Sequence, residues 1–392
     1  MDTSEELVTR TTDAFLQTFH AQASYISKAP GRINIIGEHT DYNLGLSMPC
    51  AINRWIVIAF SPRKDMRVQV VSKDFDEYLN IDLNDSYKPD SDWKKYIYGC
   101  LKIFSSLQPV EFGFNAFIQG NIPIGSGVSS SAALEVAFIN GLNKLYHSKL
   151  DDLTIIKLCQ RVEHEYLHVK SGLLDQYASQ FSKANHFLVL DFQNMSHCYV
   201  PAEMDDHCWV LCNSGVKRAL AGSKYSERVV ETQKALKSIT GKFPGIKHFR
   251  EIKEIHLAAI KDVIQQKRIK HYMLENKRVE DTLDALNMSD YTRFGALLSA
   301  SHISLRDLYE VSCEELDFLM EQAITLPYCL GSRMMGGGFG GCTINLVQKD
   351  YVEAFSKHIK TVYQKQFNKN TEINEYYSVD GANIISLQTC LK

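Results

Sequence analysis

The sequence predicts an α+β protein of two lobes, on three observations. At 392 residues and 45% hydrophobic, the chain exceeds the roughly 250–300 residues at which a single core stops growing. Its β-rich segments come in groups instead of alternating strictly with helices. No repeat, low-complexity tract or Pro/Gly/Ser linker divides it, so the lobes, placed at 1–204 and 205–392, should share an extensive interface.

The elements follow in order. An opening helix leads to the apolar run Ile33, Ile35 and Ile36. WIVIAFSPR and VQVVS are consecutive and β-rich, an apolar helix is expected near Tyr96 to Leu107, and EFGFNAFIQG returns to strand. Helices are expected at Ser129 to Tyr146 and Thr154 to Val169, the second carrying Ile155, Cys159, Val162 and Tyr166 on one face. HFLVLDF and WVLCNSG read as strands. After Pro201 long helices dominate through Leu326, followed by a strand in CTINLVQ, a helix near Asp350 to Phe367, and closing strands in YYSV and NIISL.

Composition narrows the function. Forty-three Lys and Arg against 46 Asp and Glu give a net charge of -3, with no dense basic run of the kind nucleic acid requires. No stretch is apolar for the roughly 18 residues of a membrane span, and MDTSEELVTR lacks the features of an export signal. The ten cysteines form no CxxC pair, which points to a reducing cytoplasm. His207, Cys208 and Cys212 approach a metal-ligand spacing, but the intervening WVL makes a buried strand with small apolar thiols the better interpretation. The partner expected is a small molecule.

Three stretches carry chemistry. GRINIIGEHTDYN, residues 31 to 43, sets Arg32, Glu38, His39 and Asp41 around apolar residues, more polar groups than a buried strand needs. NIPIGSGVSSSAALEVA, residues 121 to 137, places Gly125 and Gly127 before Ser129, Ser130 and Ser131 at a helix start, where free N–H groups and hydroxyls form an anion cradle. It lacks the Lys-Ser/Thr of a Walker loop and the third glycine of a dinucleotide fingerprint. GSRMMGGGFGGC, residues 331 to 342, holds five glycines in six positions, a cost in chain entropy that makes sense where backbone must pass close to something.

Together these stretches resemble the three motifs of the GHMP small-molecule kinases, and the first is similar in particular to the galactokinase signature. The resemblance extends to SGLLDQYAS at 171–179, NSGVKRALAGSKYSERV at 213–229 and SHISLRDLYEVSCEELD at 301–317. It implies a two-lobed fold, a mixed α/β first lobe and an α+β second lobe, with the active site in the cleft. It implies transfer of the γ-phosphoryl group of ATP to the C1 hydroxyl of α-D-galactose, with Mg²⁺. By the same resemblance Arg32, Glu38, His39, Asp41, Gly172, Asp175 and Tyr225 match sugar-binding positions, and carboxylates with imidazole suit the hydroxyls of a sugar. Asp175 would face the C1 hydroxyl and pair with Arg32. A guanidinium beside it keeps that carboxylate ionised but weakly basic, so general base and orienting acceptor both stay open. Gly125, Ser126, Gly127, Val128, Ser129, Ser130 and Ser131 match the phosphate loop, Ser131 and Glu163 the Mg²⁺ ligands, and Trp93 an aromatic beside adenine.

The sequence departs from the family at Met335, where threonine is usual, at Val128, where leucine or methionine is, and at Lys217, where some relatives have arginine; Met335 is expected to act as packing. The alternatives are a kinase for a related sugar such as N-acetylgalactosamine, or a galactose- and ATP-binding regulator without catalysis. Retention of Ser129 to Ala133 with Asp175 and Arg32 favours the enzyme. The chain is expected to be a monomer or a weak homo-oligomer.

Overall fold

A computed structural model describes residues 3–123, 127–202, 204, 206–216 and 221–387. The first lobe opens with α1 (Ser4–Phe19), whose N-terminus is closed by reciprocal hydrogen bonds between Thr3 and Glu6. Strands β1 (Tyr25–Ile36), β2 (Leu46–Pro62), β3 (Arg67–Ser72) and β4 (Glu77–Asp82) follow, then α2 (Asp92–Ser105) and β5 (Phe114–Gly120). Helices α3 (Ser130–Leu145), α4 (Asp152–Glu165) and α5 (Leu174–Phe181) lead to β6 (His186–Asp191) and β7 (Ser196–Pro201).

The rest of the chain comprises β8 (His207–Asn213), α6 (Ala221–Lys242), α7 (Val263–Asn287), α8 (Tyr291–Ser304) and α9 (Glu314–Ile324). Then come β9 (Cys329–Met334), β10 (Cys342–Gln348), α10 (Val352–Phe367), β11 (Glu372–Tyr376) and β12 (Asn383–Ser386). One sheet runs β12-β1-β2-β5-β3-β4, with β6 pairing β2 and β7 pairing β6; the other runs β11-β8-β10-β9. The pair β3 and β5 is parallel, because α2 carries the chain across between them. No helix among the described residues is long and apolar enough to cross a membrane.

Several boundaries differ from expectation. The strand sought in YYSV lies earlier, at β11, and only Tyr376 belongs to both. Helix α4 stops at Glu165, before Val169, and His168 adopts a left-handed φ of 58° as the chain turns back. Strands β4, β7 and β9 and the short helix α5 were not anticipated. The last strand, β12, returns to pair antiparallel with β1 in the first sheet, although it lies far beyond the expected lobe boundary at 204.

The main core is continuous through both lobes. Ile33, Val136 and Phe187 of the first pack in one cluster with Trp209, Val279, Leu298 and Ile344 of the second. A smaller cluster including Val210, Leu319, Phe355 and Tyr363 lies on the second sheet. Cys208 and Cys212 are buried on β8, as the apolar run between them implied.

Candidate active site

A cavity of about 350 Å³ gathers Arg32, Glu38, His39, Asp41, Gly127 to Ser131, Glu163, Gly172, Asp175, Tyr225 and Gly336 to Gly338. The three motif stretches thus face one space, together with Glu163, Gly172, Asp175 and Tyr225. Trp93 is not among them. It lines an adjoining, more apolar cavity of about 260 Å³ with Phe75, Tyr96 and Leu134, and Ser130 and Ser131 border both. Its indole stacks on Phe75 at 6.1 Å and donates to Glu77 at 2.8 Å. Gly125, Ser126 and Lys217 lie outside the described residues.

The loop between β1 and β2 is held by its own polar groups. Gly37 has a φ of +88° and a side chain there would lie 2.5 Å from the Leu46 carbonyl, so only glycine fits. The Thr40 hydroxyl donates to the carbonyls of Gly37 and Leu46 at 2.9 and 2.7 Å. Glu38 accepts from Asn34 at 3.1 Å and from the fully buried Arg333 at 2.5 Å, and Arg333 also donates to the carbonyls of Asn34 and Ile35. Beneath them Glu275 on α7 accepts the backbone N–H of Gly37 at 3.0 Å and the Ser301 hydroxyl at 2.7 Å. Burial alone would raise the pKa of Glu275, but Arg278, His271, Arg333 and Ser301 together hold it at about 2.

His39 sits in an aromatic box, its ring 4.7 Å from Tyr309 and 5.5 Å from Tyr225. Burial, and then the positive field of Arg228 and Arg333, keep its imidazole neutral. Nδ1 lies 2.8 Å from the Tyr42 hydroxyl, and Nε2 is buried without a hydrogen-bond partner. Gly172 is required by close approach, since a side chain there would meet the Asp41 carboxylate at 1.6 Å.

Arg32 extends from β1 and donates from Nε to Asp175 at 2.7 Å and from Nη1 to the Gly127 carbonyl at 2.7 Å. The other Asp175 oxygen accepts from the Ser129 hydroxyl. Ser129 precedes α3 with a left-handed φ of 60°, so it turns its hydroxyl to Asp175 in place of capping the helix. Glu163, at the end of α4, accepts from Ser171. Burial raises Glu163 to about 7, with Asp175 and Asp41 adding to the rise against the Ser171 and Gln176 hydrogen bonds. Asp41 is likewise pushed up to about 7 by burial and then by Asp175.

The glycine run is a hairpin tip between β9 and β10, folded tightly against its surroundings. A side chain on Gly338 would lie 2.2 Å from the Val311 carbonyl, and one on Gly340 2.7 Å from that of Val216, both at positive φ. Met335 is fully buried in the main core, consistent with a packing role.

Sequence reasoning missed several members. Arg333 stood in the glycine motif without a role, and Tyr309 lay within a quoted match. Glu135 on α3 and Gln176 beside Asp175 went unassigned. Both are fully buried, and Gln176 donates to Glu135 at 3.2 Å.

The comparisons agree with this geometry. The galactokinase galactose-binding signature matches residues 13–62, the GHMP kinases N terminal domain 95–183 and the GHMP kinases C terminal model 282–365. A galactokinase from Clostridium beijerinckii is 39% identical over 357 residues, covering 89% of this chain and 92% of that one. The chain belongs to the galactokinase family. Within that family, a Lactococcus lactis galactokinase complexed with galactose superposes with a TM-score of 0.91 at 34% identity, covering 97% and 99% of the two chains. The fold extends to a Methanococcus jannaschii mevalonate kinase, with a TM-score of 0.65 at 19% identity over 91% of this chain and 98% of that one. The three models between them cover the three motif stretches that face the cavity.

Proposed function

We propose that this galactokinase-family chain transfers the γ-phosphoryl group of ATP to the C1 hydroxyl of α-D-galactose, giving galactose 1-phosphate. The observation that carries it is the convergence of Glu38, His39, Asp41, Gly172 and Tyr225 on one cavity with the Arg32–Asp175 pair and Ser129 to Ser131. Hydroxyls that must both donate and accept find carboxylates and an imidazole there. Asp175 takes the C1 hydroxyl proton or orients it, and Arg32 offsets charge on the transferring group, where positioning and electrostatics supply most of the catalysis. The loop around Ser129 to Ser131 and the backbone of Gly336 to Gly338 receive the phosphates, and Trp93 borders the adenine pocket.

Mg²⁺ suits the donor set. Ser131 and Glu163 offer oxygens to the same cavity, as a hard cation prefers, and burial, with Asp175 adding to it, makes Asp41 and Glu163 carboxylates that a nearby cation would help to hold ionised. When bound, the ion would neutralise phosphate charge. We assign residues 1–204 mainly to the sugar- and ATP-binding lobe and 205–392 to the second lobe, with β12 on the first sheet. A cytoplasmic location accords with the free thiols among the described cysteines.

The test is ATP turnover against galactose, glucose, N-acetylgalactosamine, arabinose, mevalonate and homoserine in parallel. Galactose is expected to exceed glucose by orders of magnitude, because groups that bond an axial C4 hydroxyl are left unpaired by an equatorial one. Equal specificity constants for the two would overturn the assignment.

A further inference from the structure

We propose that Phe339 is a positioning residue that latches the glycine hairpin onto α6, so that Tyr225 and the backbone of Gly336 to Gly338 face the cavity as one wall. The inference rests on the assignment of this cavity to galactose and ATP, and it goes further by naming what holds the sugar and phosphate contacts of the second lobe together.

Phe339 is the one side chain within the run Gly336 to Gly341, and its φ is 57°. That left-handed conformation is costly for a bulky residue and easy for glycine, so a ring at this position answers to something other than the turn. Its backbone N–H donates to the Val311 carbonyl at 2.7 Å, and its side chain packs on the small cluster of Tyr309, Val311 and Met334. A leucine would serve that apolar contact. It would not serve the second one, in which the Lys224 ammonium lies 4.9 Å and the Arg228 guanidinium 5.9 Å from the centre of the ring, within the range at which an aromatic face attracts a cation.

Lys224 and Arg228 stand four residues apart on α6, so they reach the ring from one face of the helix. Tyr225, next to Lys224, lines the cavity with Gly336 to Gly338, and a side chain on Gly337 would lie 3.4 Å from the Tyr225 ring. Hairpin and helix therefore meet twice, inside the cavity through Gly337 and Tyr225 and outside it through Phe339 and the two cations. The inner contact is a bare glycine against a ring, so the outer one supplies the attraction. Arg228 is also committed to the carbonyls of Tyr309 and Glu310 and to Glu231, which makes Lys224 the cation whose removal tests the ring contact alone.

The test is a double-mutant cycle on Phe339→Leu and Lys224→Met, read by hydrogen exchange of the 336–341 amides and by steady-state kinetics. Each single variant should speed that exchange and raise the KM of both galactose and ATP about threefold to tenfold, with a smaller change in kcat, while Phe339→Tyr, which keeps the aromatic face, should stay within about twofold of wild type. In the Phe339→Leu background, Lys224→Met should add nothing. A full effect of Lys224→Met in that background means that the lysine acts without the ring, and it overturns the proposal; so does a folded Phe339→Leu with unchanged exchange and KM values, or a Phe339→Tyr as impaired as Phe339→Leu. If Phe339→Leu does not fold, Lys224→Met decides, because that side chain is exposed, and unchanged exchange in it overturns the latch. If exchange behaves as stated but galactose is not phosphorylated, the substrate assignment fails and the latch stands.

Discussion

The loop after β1 and the cluster around the phosphate-loop serines treat buried charge in opposite ways. Glu38 and Glu275 are matched by Arg333 and Arg278, and all four side chains are largely or wholly buried. Asp41, Glu163 and Asp175 crowd the other side, with Arg32 paired to Asp175 alone among the three. The first arrangement is complete within the protein and serves to hold a shape. The second is incomplete and favours whatever brings positive charge. Glu38 therefore meets the cavity from a position that its own cation fixes, whereas Asp41 and Glu163 face it without a cation of their own.

The largest effect expected is on the completed side. Arg333→Met leaves Glu38 buried without its cation and should cost about 3–5 kcal/mol of folding stability, measured by urea denaturation. A loss below about 1 kcal/mol would mean that Glu38 does not depend on the pair. On the other side, Asp175→Asn should lower kcat about a hundredfold or more, with ATP affinity nearly unchanged, if Asp175 removes the proton. Near wild-type turnover in a variant with a normal melting curve would leave Asp175 an orienting acceptor.

The third expectation concerns pH. Asp41 and Glu163 rise from the ordinary carboxylate values of 3.8 and 4.5 to about 7 in the folded chain, so between about 4 and 7 the native state holds protons that the unfolded state has released. Their contribution to stability therefore falls as pH rises through that window. Glu163→Gln should remove its share, raising the melting temperature relative to wild type by a few degrees at pH 7.5 and by less at pH 5.5. The same variant should need more Mg²⁺ for half-maximal turnover. An identical melting difference at both pH values would show that Glu163 carries no such cost. The smallest change in rate is expected from Met335→Thr, because that side chain lies in the core while the adjoining glycines work through their backbone. A change above about tenfold, per folded molecule, would place the residue in contact with the reacting groups.

Much of this was legible in the sequence. Long apolar periodicities located α3, α4, α10 and the central strands, and the motif residues converge on one cavity. The missing parts share a physical cause, in that nothing local marks them. Arg333 looks like an ordinary arginine before a glycine run, since its partner Glu38 lies 295 positions away. Strand β7 is mostly exposed and polar, so neither an apolar run nor a clear alternation marks it. Strand β11 was misplaced because Tyr376 and Tyr377 look alike in sequence, although one is 2% exposed and the other 64%.

The return of β12 to β1 bears on how the protein is made. Tyr25 to Lys28 pair with Ser386 to Asn383, so during synthesis the first sheet keeps an unfinished edge until nearly all of the second lobe has left the ribosome. Such an edge can recruit another nascent chain, and a contact spanning so much sequence closes slowly. The lobe that carries Arg32 and the signature loop thus cannot complete its sheet before residues 383–386 have been made.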